Sequence, residues 1–223
     1  MNKNKAEIAS LLKKRSLLKQ DVYEKSAHCY GEFRKVIENE IERLTKEINN
    51  PRVRLKLQTN GDFETHAYVG SDVLVFNMHT NVFTQPNNSS IWKDSYFEKN
   101  PEKGYFGIIN IYNFLAESFL QKRMNDPGYL LCRILVNIDG RFIIEGKGEL
   151  GYLYRNIRNN IFDQATMKVI FDQAVKYAAE FDLYTPTYES ASVVNVMQIK
   201  SVTSAQKLKT GKRLGFRFKN ELK

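Results

Sequence analysis

Apolar positions recur every three or four residues through the first fifty residues of the chain, and every second residue from Arg52 onward. The first pattern is that of an amphipathic helix, the second that of half-buried strands. Ile8, Leu11, Leu18, Val22, Cys29, Phe33, Val36, Ile37, Ile41, Leu44 and Ile48 predict one helical segment over residues 4–49. Leu11, Val22, Phe33 and Leu44 stand eleven apart, a repeat that keeps its stripe on a nearly straight helix. This favours a helix lying along a body or a partner over a leucine-zipper dimer. About 46 helical residues would run roughly 70 Å, whereas a compact chain of this size is roughly 45 Å across. The helix therefore either projects and pairs with another subunit or breaks. Gly31 is the natural break, since an interior glycine costs ~1 kcal/mol, and Pro51 ends the segment.

Val53, Leu55 and Leu57 then alternate with Arg52, Arg54, Lys56 and Gln58, up to a turn at Asn60 and Gly61. A three-residue loop (Asn60, Gly61, Asp62) sets Val53, Leu55 and Leu57 against Val69, Ala67 and Thr65. That makes one face apolar and the other polar, as register selection requires. Further strands are expected from Asp72 to about Val82, over Tyr105–Tyr112, over Tyr129–Ile138 and Arg141–Glu145 around the Asp139–Gly140 turn, and over Val193–Ile199. Asn113–Met124 reads as a short helix. Asp163 reads as the N-cap of a helix carrying Met167, Ile170, Phe171, Ala174, Val175, Ala178 and Phe181 on one stripe.

This order of elements predicts an α+β fold, an antiparallel sheet of about six strands covered by helices on one face. The expected organisation is a helical segment over 1–51, kinked near Gly31, an α+β domain over 52–199, and a basic ribbon or tail over 200–223. The stretch 84–103 lacks periodicity, and a loop of that length is usually functional or disordered. Its Trp92, Tyr96 and Phe97 are either partner anchors or a small cluster tucked under the loop.

Charge sharpens the picture at one place. Residues 200–223 hold eight basic residues and one acid, a net +7, whereas the other 199 residues carry only +2. A field so lopsided selects anionic partners or solvates a tail. Two cysteines, Cys29 and Cys132, make no disulfide framework and suit a reducing compartment. No signal peptide and no bilayer-spanning run is evident, so a cytoplasmic location is expected.

Few constellations carry chemistry. Gly146, Gly148 and Gly151 satisfy GxGxxG, but the strand before them is the return arm of a hairpin and no full helix opens at the last glycine, as a dinucleotide site needs. Glycines at a bulged strand exit are the plainer reading, and no cofactor is expected. Glu145 and Lys147, two apart on one strand face, pair a carboxylate for Mg²⁺ with a lysine for phosphate charge. The run Arg141–Lys147 resembles the ExK strand of the PD-(D/E)xK nucleases. That family's pattern also wants an aspartate near the start of the preceding strand, where this chain has Cys132 and Arg133. His28, His66 and His79 have no zinc-ligand spacing, so no metal is expected.

In the tail, Leu214, Phe216 and Phe218 alternate with Arg213, Arg217 and Lys219. A basic β-ribbon of this kind presents cations to a phosphate backbone. Lys207, Lys209, Lys212, Arg213, Arg217 and Lys219, joined by Arg54 and Lys56, are the expected nucleic-acid contacts. The function this favours is a non-enzymatic, nucleic-acid-associated binding protein, its partner nucleic acid or another polyanion. The alternatives are an assembly subunit working through the N-terminal helix and the 84–103 loop, and a divergent Mg²⁺-dependent nuclease.

Overall fold

Long-range packing decides the course of the N-terminal helix. In the computed structural model, α1 (Asn2–Ile48) runs without interruption through Gly31. The expected break does not occur. Cys29, Tyr30, Phe33, Val36, Ile37 and Ile41 are all buried on either side of the glycine, and that packing outweighs its helix penalty of ~1 kcal/mol. The structure describes residues 2–146, 148–154, 156–182, 184–185, 187–197 and 200. The chain divides after Ala179 into two compact units.

The first unit continues through β1 (Leu55–Thr59), β2 (Glu64–Val69), β3 (Asp72–Met78) and β4 (Phe83–Thr84), then α2 (Ser95–Glu98), β5 (Tyr105–Leu115), α3 (Ala116–Leu120), β6 (Tyr129–Asn137) and β7 (Phe142–Gly146). It ends with α4 (Gly148–Leu153) and α5 (Gln164–Glu180), whose last residue opens the second unit. The strands form one antiparallel sheet in the order β1-β2-β3-β5-β6-β7, with β4 paired to β5. This is the α+β architecture that the alternation of patterns predicts. In the second unit the described residues include one short helix, α6 (Tyr188–Ala191).

One face of the sheet, built from Leu74, Phe76, Ile109, Ile111, Cys132, Ile134 and Phe142, packs under α1 and α5 in a single core. Phe33 stands edge-on to Phe76 at 5.4 Å and to Phe162 at 5.5 Å. The Tyr30 hydroxyl lies 3.0 Å from both Thr65 Oγ1 and the Phe76 carbonyl, which satisfies it at almost complete burial. Glu40 locks the two helices together, with Lys168 Nζ and Arg43 Nε each 2.6 Å away. Burial alone would raise the Glu40 carboxyl, but the hydrogen bonds from Lys168 and Arg43 outweigh it and hold the group below its ordinary range. The opposite sheet face carries two small patches. One (Tyr68, Val73, Val75, Ala116) lies under α3, and the other (Phe97, Phe106, Leu135, Ile157) lies under the 85–104 segment.

Three further expectations need correction. The first hairpin pairs Leu55 with Val69 and Leu57 with Ala67, two residues away from the expected register. The faces are those expected, but the loop is Gly61, Asp62 and Phe63. Asn60 is drawn into the ladder by its N–H to the Glu64 carbonyl (2.9 Å), and Phe63 turns in against Tyr23. Gly61 sits at φ +66°, which glycine adopts at little cost. The helix expected over Asn113–Met124 shrinks to α3, because Asn113, Phe114 and Leu115 pair with Leu74, Val73 and Asp72 and extend β5. Finally, residues 193–197 form no strand. Among the described residues no strand pairs with this run, and an apolar run alone does not make one; residues 198 and 199, the rest of the expected strand, lie outside the described residues.

Candidate interaction surfaces

Nothing in the described structure bears on Lys207, Lys209, Lys212, Arg213, Arg217 or Lys219, which all lie outside the described residues. The two remaining expected phosphate contacts differ from each other. Lys56 is exposed on β1. Arg54, just before it, is half-buried, and its charge opposes the upward push that burial gives the Glu117 carboxyl. Arg123 stands beside the same carboxylate at 3.5 Å and also reaches Asp126 at 3.2 Å. Arg54 therefore balances one of the protein's own acids at the rim of the sheet.

Glu145 is paired with Arg133 on the adjacent strand. The two belong to a polar row that runs straight across five strands on the face away from α1: Glu64, Asn77, Asn110, Arg133 and Glu145 are successive cross-strand partners. Glu64 and Glu145 occupy opposite ends of that row, about 19 Å apart at ~4.8 Å per strand. Too far apart to share one metal ion, they also find no third ligand: among the described residues no group of three His, Cys, Asp or Glu could hold a metal. Lys147 lies outside the described residues. Gly146 and Gly151 serve a tight strand exit, since a Cβ on Gly151 would fall 2.1 Å from the Gly146 carbonyl oxygen.

The 84–103 segment is held down by short helical turns. The Asp94 carboxylate caps α2 by accepting from the Tyr96 N–H (2.8 Å), and Arg158 clamps Asp94 and Ser95 at 2.7 Å. Phe97 is 1% exposed, and Trp92 and Tyr96 pack beside it over Phe106 and Leu135. The Trp92 indole N–H donates to the Pro86 carbonyl (2.8 Å). The Tyr96 hydroxyl donates to Asp139 (2.6 Å), and burial together with that carboxylate pushes its pKa up to about 12. These aromatics cover the chain's own sheet.

One run of exposed apolar side chains lies on the first part of α1. From Val22 onward the stripe is buried on the sheet, but its continuation toward the N-terminus is uncovered. Ile8, Leu11 and Leu12 are 50%, 55% and 62% exposed, and Leu17, on another side of the helix, is 49% exposed. At 100° per residue, Ile8, Leu11, Leu12 and Leu18 fall on the same side as Val22. Five cations surround them over residues 5–21 (Lys5, Lys13, Lys14, Arg15 and Lys19), against the two acids Glu7 and Asp21. One flank is tied to the 84–104 segment by Lys14 Nζ, 2.8 Å from Glu102.

No known protein family, curated protein or solved structure matches this chain.

Hydrophobic periodicity cannot show where along α1 the sheet stops covering the stripe, because the stripe continues unchanged past that point. A trace of the boundary exists in side-chain size. On the covered stretch the stripe admits the small residues Ser26 and Cys29, both buried. On the uncovered stretch the same side of the helix holds the large aliphatics Ile8, Leu11, Leu12 and Leu18, with Arg15 and Lys19 among them. Among the described residues, no helix is long and apolar enough to cross a membrane.

Proposed function

We propose that this chain is a protein-interaction subunit that docks a partner protein through residues 5–21 of α1. The observation that carries this is the uncovered continuation of the core stripe at Ile8, Leu11 and Leu12. An amphipathic helix with an unfilled apolar face is a common docking element, read through its i, i+3, i+4 anchors. The flanking cations select the partner's chemistry: its groove or helix carries acidic residues beside an apolar centre. Pairing with a second copy is disfavoured, since two such arms side by side would bring ten cations together.

The test is the double substitution Leu11→Ser and Leu12→Ser. Both side chains are more than half exposed, so thermal stability stays within a degree or two. Each has about 1 kcal/mol still to gain on burial in an interface, so affinity for a partner recovered from native extract and repurified falls about thirtyfold or more. Equal binding by wild type and variant in the reconstituted pair refutes the proposal.

The charge of residues 200–223 favours a second reading, association with nucleic acid. If about four phosphates are neutralised, affinity for a labelled duplex drops about a hundredfold between 50 and 200 mM salt. Deleting residues 201–223 should abolish that binding. A flat salt response, or unchanged binding after the deletion, removes this reading.

A further inference from the structure

The two borders of the sheet differ. At the β7 border Tyr154, Asn160 and Ile161 lie against the strand: Ile144 N–H reaches the Tyr154 carbonyl and Phe142 N–H the Asn160 carbonyl, each at 3.2 Å, and Arg141 bridges Ile161. At the other border β1 has β2 as its single strand neighbour among the described residues.

The register of that pair shows which β1 groups face outward. Gly70 N–H donates to the Arg54 carbonyl (2.7 Å) and Asn60 N–H to the Glu64 carbonyl (2.9 Å). In an antiparallel ladder, hydrogen-bonded pairs alternate with non-bonded ones, so Arg54, Lys56, Gln58 and Asn60 bond inward. Leu55, Leu57 and Thr59 therefore direct their N–H and C=O groups away from the sheet. Beside this border runs an open groove between β1 and the last turns of α1. Its floor is Ile41, Leu55 and Leu57, its helical wall carries Glu38, Glu42, Thr45 and Lys46, with Lys46 Nζ 3.9 Å from Glu42, and Lys56 stands at its strand side.

We infer that this groove binds an extended peptide as an added strand, and that the peptide alternates apolar and acidic residues. Main-chain groups with no strand partner among the described residues supply the ladder, and pockets for alternate side chains supply the selection. Side chains pointing toward α1 meet Ile41, Leu55 and Leu57, so they are apolar; on the wall above, Lys46 is taken up by Glu42, and Glu38 leaves no net positive charge there to hold an acid. Side chains on the opposite face meet Lys56, and no acid occurs anywhere between Pro51 and Gly61, so they are acidic. A second copy of β1 is a poor occupant, because it would set its own lysine and arginines beside these. Lys56 thus guards the border against indiscriminate pairing, and an acidic strand removes the repulsion.

The test uses the full chain and a fluorescein-labelled decapeptide alternating valine and aspartate. Controls are a peptide of the same composition in two blocks and one alternating valine and lysine. Anisotropy should show saturable binding of the first peptide alone. Amide exchange at Leu55, Leu57 and Thr59 should slow at least tenfold, with Lys56 and Gln58, already in the ladder, little changed. Lys56→Glu should weaken binding about fivefold or more, as expected from a like-charge cross-strand pair. Leu57→Pro, which removes an outward N–H tolerated at a border position, should abolish it. If Leu57→Pro does not fold, the exchange pattern and Lys56→Glu still decide. Equal binding of the block peptide, absent or diffuse exchange protection, or tight binding by Lys56→Glu overturns the inference. Leu11→Ser with Leu12→Ser should leave this binding unchanged, which separates it from docking through the α1 arm.

Discussion

Replacing Phe33 with alanine lowers the stability of the first unit by about 3–5 kcal/mol. The side chain has no solvent exposure. Its ring meets Phe76 of β3 edge-on at 5.4 Å, and Phe76 stacks in turn on Phe171 of α5 at 6.1 Å. On its other side it meets Phe162, just before α5, at 5.5 Å. One ring therefore joins α1, the sheet and the approach to α5, and truncating it opens a cavity where all three meet. The surroundings cannot collapse into that space, because the helix is anchored on either side by Tyr30 and Ile37. Natural domains of this size hold about 5–15 kcal/mol in all, so the loss is a large share of the total. Chemical denaturation of wild type and variant measures it directly. A difference below 1 kcal/mol would show that the α1–sheet contact is looser than described.

The second large effect is expected at Gly107. This residue lies in β5 directly beneath α1, and a Cβ there would fall 2.1 Å from Ser26 Oγ and 2.5 Å from Ser26 Cβ. The glycine is what lets helix and sheet approach so closely. Ser26 has little freedom to yield, since its hydroxyl donates to the Val22 carbonyl at 2.7 Å inside the helix. Gly107→Val should therefore cost about 1–3 kcal/mol or more through overpacking. Gly107→Ala should be milder. Combining Gly107→Ala with Ser26→Gly should recover part of the loss, apart from the ~1 kcal/mol that glycine costs a helix. A double-mutant cycle measures the coupling, and strictly additive losses would mean that the two residues do not compete for the same space.

Strands bounded by turn chemistry were legible from local pattern: β6 and β7 around Asp139–Gly140, and the capped helix after Asp163, where the carboxylate accepts the Thr166 N–H at 2.8 Å. The long helix was legible too, but its continuity through Gly31 was not, because the burial of Tyr30 and Phe33 against the sheet is a tertiary effect. The hairpin register slipped by two residues, a shift that keeps every side chain on its face and so leaves the alternation pattern blind to it. Asn113 to Leu115 read as helix from their neighbours, yet join β5 because β3 offers them partners. The surfaces now proposed as functional are the least local of all. Where cover ends along α1, and which strand stands at the border, depend on the spatial order of the strands, which periodicity does not encode.

The asymmetry of the sheet's borders limits how large an assembly built on it can grow. Endless fibrils require that each unit accept a neighbour on both sides. Here Tyr154 and Asn160 already occupy the β7 side, so among the described strands the ladder is open to a further strand at β1 alone. A protein closed on one side in this way can recruit a guest segment without becoming a template for polymerisation.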